Sequence, residues 1–165
     1  MAMSDSDPLA AEVLLVAEVS IEEEQAIVEA FRALGVATRT RMVPTRRGLE
    51  QVQWLVLATL PLHALLSGLG SAAAQDLAQG LKHLVGRVLG NARTTATTPQ
   101  VFVLQDAATQ VQVVLEADLP TAAYQSLVAL DLSAFREGPV HYDRQRGRWR
   151  SELDEWQQAR DSRPA

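Results

Sequence analysis

Residues 52–91 read VQWLVLATLPLHALLSGLGSAAAQDLAQGLKHLVGRVLGN, and the change of pattern at Pro61 decides the architecture. From Val52 to Leu60 the apolar residues run almost without interruption, as in a strand, and Pro61 ends the run. Beyond it, Leu65, Leu69, Ala73, Leu77, Leu81, Leu84, Val85 and Val88 recur with a period near 3.6. This predicts one long helix over 62–89, closed by Gly90-Asn91. Gly68, Gly70, Gly80 and Gly86 each disfavour an exposed helix by about 1 kcal/mol relative to alanine, so close packing is expected to offset them.

On the N-terminal side, Glu12-Val13-Leu14-Leu15-Val16-Ala17-Glu18-Val19 has the length and aliphatic content of a buried strand. Ser20 precedes Glu23 by three residues, the spacing of a capping box. The helix it opens carries Ile21, Ala26, Ile27, Ala30, Phe31 and Leu34 on its apolar side and ends at Gly35, with Glu22, Glu23 and Glu24 in the first turn, where the helix dipole favours negative charge. Val36 to Val43 then alternates, setting Val36, Thr38, Thr40 and Met42 against Arg39 and Arg41, which predicts a strand with one solvated side. Residues 44–48 form a loop before the central unit.

On the C-terminal side, Thr94, Thr95, Thr97, Thr98 and Pro99 mark a polar loop. Val101–Leu104 and Val111–Leu115 flank Asp106-Ala107-Ala108-Thr109 as a β-hairpin. Asp118, ahead of Leu119-Pro120, is placed to cap a helix carrying Tyr124, Leu127, Val128 and Leu130, with a further turn through Leu132 and Phe135. His141–Trp149 reads as a small hairpin or an extended segment, and Ser151 caps a last short helix through Glu155 and Trp156.

The order β-α-β-β-α-β-β-α with a C-terminal appendix implies an α+β fold, a two-layer sandwich in which helices cover a mixed β-sheet. Residues 1–10 are read as a disordered tail, 11–138 as the domain and 139–165 as a hairpin-and-helix appendix. The strand order stays open. No basic stretch followed by an apolar segment and a small-residue cleavage site opens the chain, so a cytoplasmic protein is expected.

The chain has 165 residues, 15 Lys+Arg against 20 Asp+Glu for a net charge of −5, 47% hydrophobic residues and no cysteine. Without cysteine, a disulfide scaffold, a thiolate zinc site and a cysteine nucleophile are excluded. The negative balance argues against attraction of nucleic acid or anionic lipid over the whole surface and leaves room only for a local patch. Of the three histidines, His63 is expected to be a hydrogen-bonded structural residue and His83 to be solvated. His141, with Asp143 two residues on, has the one arrangement of catalytic form. Ser67-Gly68-Leu69-Gly70-Ser71 lies within the helix pattern and matches no nucleophile or phosphate-loop motif. No catalytic, metal-ligating or cofactor-binding residue is assigned, and no cofactor is expected.

Two features suit a partner. Ala64, Gly68 and Ala72 recur every four residues, as do Ser67 and Ser71, forming a small-residue ridge along which a sheet or a partner's backbone approaches closely. Arg144, Arg146, Arg148 and Arg150 alternate around Trp149, and Arg39, Arg41, Arg46 and Arg47 make a second cluster. In an extended segment the four C-terminal arginines share a face and form a phosphate-tracking stripe. If Asp143–Gly147 is a turn they scatter into a solvated edge that discourages strand aggregation, with Trp149 and Trp156 packing the appendix onto the domain. From Gln51 to Gln75 there is no Asp, Glu, Lys or Arg, a span comparable to the roughly 20 residues that cross a bilayer.

The segments Trp54-Leu55-Val56-Leu57-Ala58, Gly68-Leu69-Gly70-Ser71-Ala72-Ala73-Ala74 and Val101-Phe102-Val103-Leu104 give the chain a further character. In pattern and composition it resembles the bacterial effector-associated constant components, in which a strand feeds an unusually apolar, Gly/Ala-rich helix followed by a hairpin and a closing helix. The likeness covers about residues 12–135 and leaves Tyr142–Arg150 and the following helix outside it. It implies a non-enzymatic component that works beside effector enzymes in bacterial conflict or signalling systems, and it supplies no catalytic residue.

The expectation from these readings is a non-enzymatic protein–protein interaction module, an adaptor or regulatory component whose partner is an effector or a second copy, bound through the ridge or a sheet edge. Two alternatives come from other classes: a membrane-active protein using residues 52–75, and a nucleic-acid-binding accessory protein using Arg144–Arg150.

Overall fold

The computed structural model describes residues 9–16, 19–33, 35–43, 54–67, 71–91, 101–136 and 138–164. Its elements are β1 (Leu9–Val16), α1 (Ile21–Ala33), β2 (Val36–Val43), β3 (Trp54–Leu60), α2 (Leu62–Ser67), α3 (Ser71–Asn91), β4 (Val101–Asp106), β5 (Gln112–Leu115), α4 (Thr121–Val128), a 3-10 turn (Leu132–Ala134), β6 (His141–Asp143), β7 (Arg148–Arg150) and α5 (Glu152–Asp161). The fold is the expected α+β sandwich built on a mixed sheet.

Five strands form the main sheet in the order β2-β1-β3-β4-β5. β1 pairs with β2 in parallel from Leu9 opposite Val36 to Val16 opposite Val43, and β3 pairs with β4 in parallel. Between these units β1 and β3 run antiparallel, and β4 and β5 form the hairpin. Parallel neighbours need a crossover, and α1 supplies one while α2 and α3 supply the other. Both crossovers lie on the same face, since one core cluster joins Ile27 and Phe31 of α1, Leu77, Leu81, Leu84, Val85 and Val88 of α3, and the inward residues Val13, Leu15, Val56, Ala58, Phe102 and Leu104. Period-2 strands and period-3.6 helices thus meet on one apolar layer.

Local signals decide several boundaries. Ser20 and Glu23 form the reciprocal box, with the Ser20 N–H donating to Glu23 Oε2 at 3.0 Å and the Glu23 N–H to Ser20 Oγ at 3.2 Å. Gly35, at φ +78°, ends α1, and its N–H donates to Arg32 O. Ser151 Oγ accepts from the Asp154 N–H at 3.3 Å at the start of α5.

Other expectations need correction. The first strand begins at Leu9, three residues before the expected Glu12, because its pairing with β2 extends back to Val36; Leu9 and Ala10 therefore belong to the sheet. Ile21 is 73% exposed, since it lies in the first turn of α1, while Ala26, Ile27 and Phe31 reach the core. In place of one helix over 62–89 the structure has α2 and α3, with 68–70 outside the described residues. Gly86 is exposed, and a Cβ added there would meet nothing within 4 Å, so no close packing offsets this glycine. Asp118 does not cap α4: the helix begins only after Pro120, beyond the reach of an N-cap at 118, and has no side-chain cap. The polar loop expected over 92–100 lies outside the described residues.

The C-terminal segment shares the main core. Val140 bridges to Val113 in parallel and is fully buried, and Trp149 is buried in the same cluster as α4. Its indole Nε1 donates to Ala123 O at 2.9 Å, while Tyr142 meets its ring edge-on at 5.4 Å.

Candidate interaction surfaces

The arginine segment is a hairpin, so the scattered arrangement is the one the fold adopts. β6 and β7 pair from His141 opposite Arg150 to Asp143 opposite Arg148. Asp143 makes the turn: its Oδ1 accepts from the N–H groups of Gln145 (3.0 Å) and Arg146 (3.1 Å), its carbonyl accepts from Gly147 N, and Gly147 sits at φ +63°. Trp149 points inward, and each arginine finds a carboxylate. Arg144 Nη2 lies 2.8 Å from Asp118 Oδ1 and 3.6 Å from Glu116. Arg146 lies 3.8 Å from Asp143, and Arg148 3.7 Å from Glu155. Arg150 donates from Nη1 to Asp143 Oδ2 at 3.0 Å and forks onto both oxygens of Glu155.

This pairing shapes the electrostatics. Hydrogen bonds from the Arg146 N–H, Arg150 and the Gln145 N–H hold the Asp143 carboxyl below its ordinary value. The Arg150 side chain does the same to Glu155, and both carboxylates raise the guanidinium. Four guanidinium groups thus face the four carboxylates of Glu116, Asp118, Asp143 and Glu155, and a phosphate chain would have to displace those partners to track them. Asp143 is likewise committed to Arg150 and to the turn, so it does not orient His141.

The small-residue ridge is only partly visible. Ala64 is exposed on α2, so at this position the ridge faces away from the sheet. Gly68 lies outside the described residues, and Ala72 is described only as a helical position of α3. Among the described residues, no helix is long and apolar enough to cross a membrane.

Two buried carboxylates that no sequence motif marks, Asp106 and Asp154, hold the backbone. Asp106, 1% exposed at the end of β4, accepts from Thr109 Oγ1 (2.8 Å), Thr109 N (3.0 Å) and His63 N (3.3 Å). Burial pushes its carboxyl up, but these bonds and one from Leu62 N outweigh burial and hold it below the ordinary value. It thereby closes the hairpin and satisfies the start of α2, where Pro61 offers no capping side chain. The structural role expected of the His63 side chain is not what the fold shows: the side chain is exposed, and the bond to Asp106 is made by the backbone N–H. His83 is exposed as expected. Asp154 accepts from the N–H groups of Arg136 (3.1 Å) and Gly138 (3.3 Å), tying α5 to the segment ahead of β6.

Asp154 is also the buried residue of α5, while Leu153 and Trp156 are 43% and 59% exposed. Trp156 therefore does not pack the appendix onto the domain; that task falls to Trp149, and Arg160 stacks 5.5 Å over the Trp156 ring from outside. A small cavity of about 10 Å³ lies under α2 and α3, lined only by apolar side chains such as Phe31, Leu62, Leu77 and Leu104, with room for about one water. Among the described residues, no group of three or more His, Asp or Glu is placed to hold a metal ion.

Comparison with protein-family models, curated proteins and solved structures finds no match.

Proposed function

We propose that the chain is a non-enzymatic protein–protein interaction module, an adaptor or regulatory component of a bacterial conflict or signalling system. The observation that carries this reading is the orientation of α5, which turns Asp154 inward and Leu153 and Trp156 outward. An amphipathic helix is normally placed by burying its large apolar residues. Here polar contacts place it, leaving a tryptophan and a leucine one turn apart for a partner, and tryptophan is enriched among residues that dominate binding energy. The face is preformed: Ser151, Asp154 and the Arg150–Glu155 pair hold the helix, so binding need not order it. The pattern likeness to effector-associated constant components supports the role beside an effector.

Size-exclusion analysis together with affinity capture from the encoding cells tests the reading. A retained partner or a stable self-complex is the expected outcome, and a strictly monomeric chain that retains nothing contradicts it.

A further inference from the structure

β2 is the terminal strand of the sheet, and among the described residues nothing pairs with its outer side. It offers eight residues of edge, with Ala37, Arg39, Arg41 and Met42 exposed. An unpaired edge is a template for another strand, and what flanks it selects which strand. Ala37, Arg39 and Arg41 project to the side away from the helices, since Thr38 and Thr40 stand opposite the core residues Ala11 and Val13. On that side Arg39 stands opposite Glu12 of β1 and Arg41 opposite Leu14, yet, unlike the C-terminal arginines, neither has a carboxylate within 4 Å among the described residues. On the helix side, Thr40 Oγ1 donates to Glu24 at 2.5 Å, which sets the first turn of α1 beside the strand. Met42, 46% exposed, follows on that side, and Ile21, 73% exposed, lies one turn before Glu24. The edge thus carries two arginines against one glutamate on one side, while on the other Met42 and Ile21 follow the Thr40–Glu24 contact at its C-terminal end.

A second copy is disfavoured in the two registers that pair most of the strand. In a continuous antiparallel sheet made by two copies of β2, pairing centred on residue 40 sets Arg39 opposite Arg41, and pairing centred on residue 39 sets Arg39 opposite itself. Like charges directly opposite disfavour both registers. We propose that the β2 edge takes up a strand from a protein partner in which carboxylates alternate with apolar side chains, the carboxylates meeting Arg39 and Arg41 and an apolar residue meeting Met42 and Ile21. The assignment rests on the reading of the chain as an interaction module and adds the chemistry of the partner segment.

The test uses the full chain and three eight-residue peptides: valine alternating with glutamate, valine alternating with lysine, and the glutamate peptide with a central proline that cannot complete the ladder. Binding is read by fluorescence polarisation at low and physiological salt. The glutamate peptide is expected to bind at least tenfold more tightly than the other two, and more weakly as salt rises. In Arg39→Glu/Arg41→Glu the preference is expected to invert toward the lysine peptide, and in Arg39→Gln/Arg41→Gln to disappear, with circular dichroism unchanged. Equal binding of the glutamate and lysine peptides, binding of the proline peptide as tight as its parent, no binding of any peptide, or no inversion would each overturn the assignment. Partner capture through α5 is read with residues 39 and 41 intact, so failure here and failure of the module reading remain separately visible.

Discussion

The indole nitrogen of Trp149 donates a 2.9 Å hydrogen bond to the backbone carbonyl of Ala123 and thereby fastens the β6–β7 hairpin to α4. The bond is buried, and breaking it leaves Ala123 O with the Ser126 hydroxyl as its remaining side-chain donor, so the cost is that of one hydrogen bond. Trp149→Phe keeps most of the packing and is expected to destabilise the fold by about 1 kcal/mol. Trp149→Ala also removes the ring from the core and should cost about 3–5 kcal/mol. Urea unfolding of both variants checks the order; a Phe variant as stable as the parent would mean that the hydrogen bond adds nothing, and equal losses that the ring's packing adds nothing beyond it.

Gly86 is an exposed helical position with open space where a side chain would stand. Alanine there should stabilise the protein by about 0.5–1 kcal/mol, raising Tm by about 2–4 °C. Thermal unfolding of Gly86→Ala reads this directly. A fall in Tm would show that something approaches α3 at this position.

Asp106 has a carboxyl held below its ordinary value, so its contribution is present above the unfolded-state value and is lost as pH falls through the folded one. Part of the acid destabilisation below about pH 4 should therefore belong to this residue. Asp106→Asn should destabilise the protein at pH 7 by about 1–3 kcal/mol and flatten the acid limb. Urea midpoints from pH 2.5 to 7 compare the two chains, and parallel pH profiles would remove Asp106 from the account.

Burial pushes the Tyr124 phenol up to about 12. Between the ordinary value of 10 and that figure the unfolded chain releases a proton that the folded chain keeps, so stability falls as pH rises through this window. Tyr124→Phe should lose part of this alkaline decline. Stability measured from pH 8 to 11.5 tests it, and an unchanged decline would place its origin elsewhere.

What was legible in the sequence was local. Ser20 and Glu23 are three residues apart, and so are Ser151 and Asp154; the Val36–Val43 alternation and the Asp106–Thr109 turn likewise lie within one element or one hairpin. The misses involve partners distant in sequence. Asp106 satisfies an N–H at the start of α2 across 43 residues, and Asp118 pairs with Arg144 across 26 instead of capping the nearby helix. On hydrophobicity alone Trp156 packs inward, but α5 is placed by the N–H groups of Arg136 and Gly138 that Asp154 collects, and their position follows only from the folded chain. The arginine segment, by contrast, is decided locally: Asp143 turns the chain between Arg144 and Arg148, which is the second of the two arrangements that the sequence allows.

The most direct measurement of the central claim is affinity capture from the encoding cells, run side by side with the wild-type chain and Leu153→Ser/Trp156→Ser. Both substituted side chains are exposed, so the variant should fold as the parent does, which circular dichroism verifies. The wild type should retain a defined protein partner, and the variant should lose at least nine-tenths of it. Equal retention by the two chains, or a wild type that is monomeric and retains nothing, would contradict the claim.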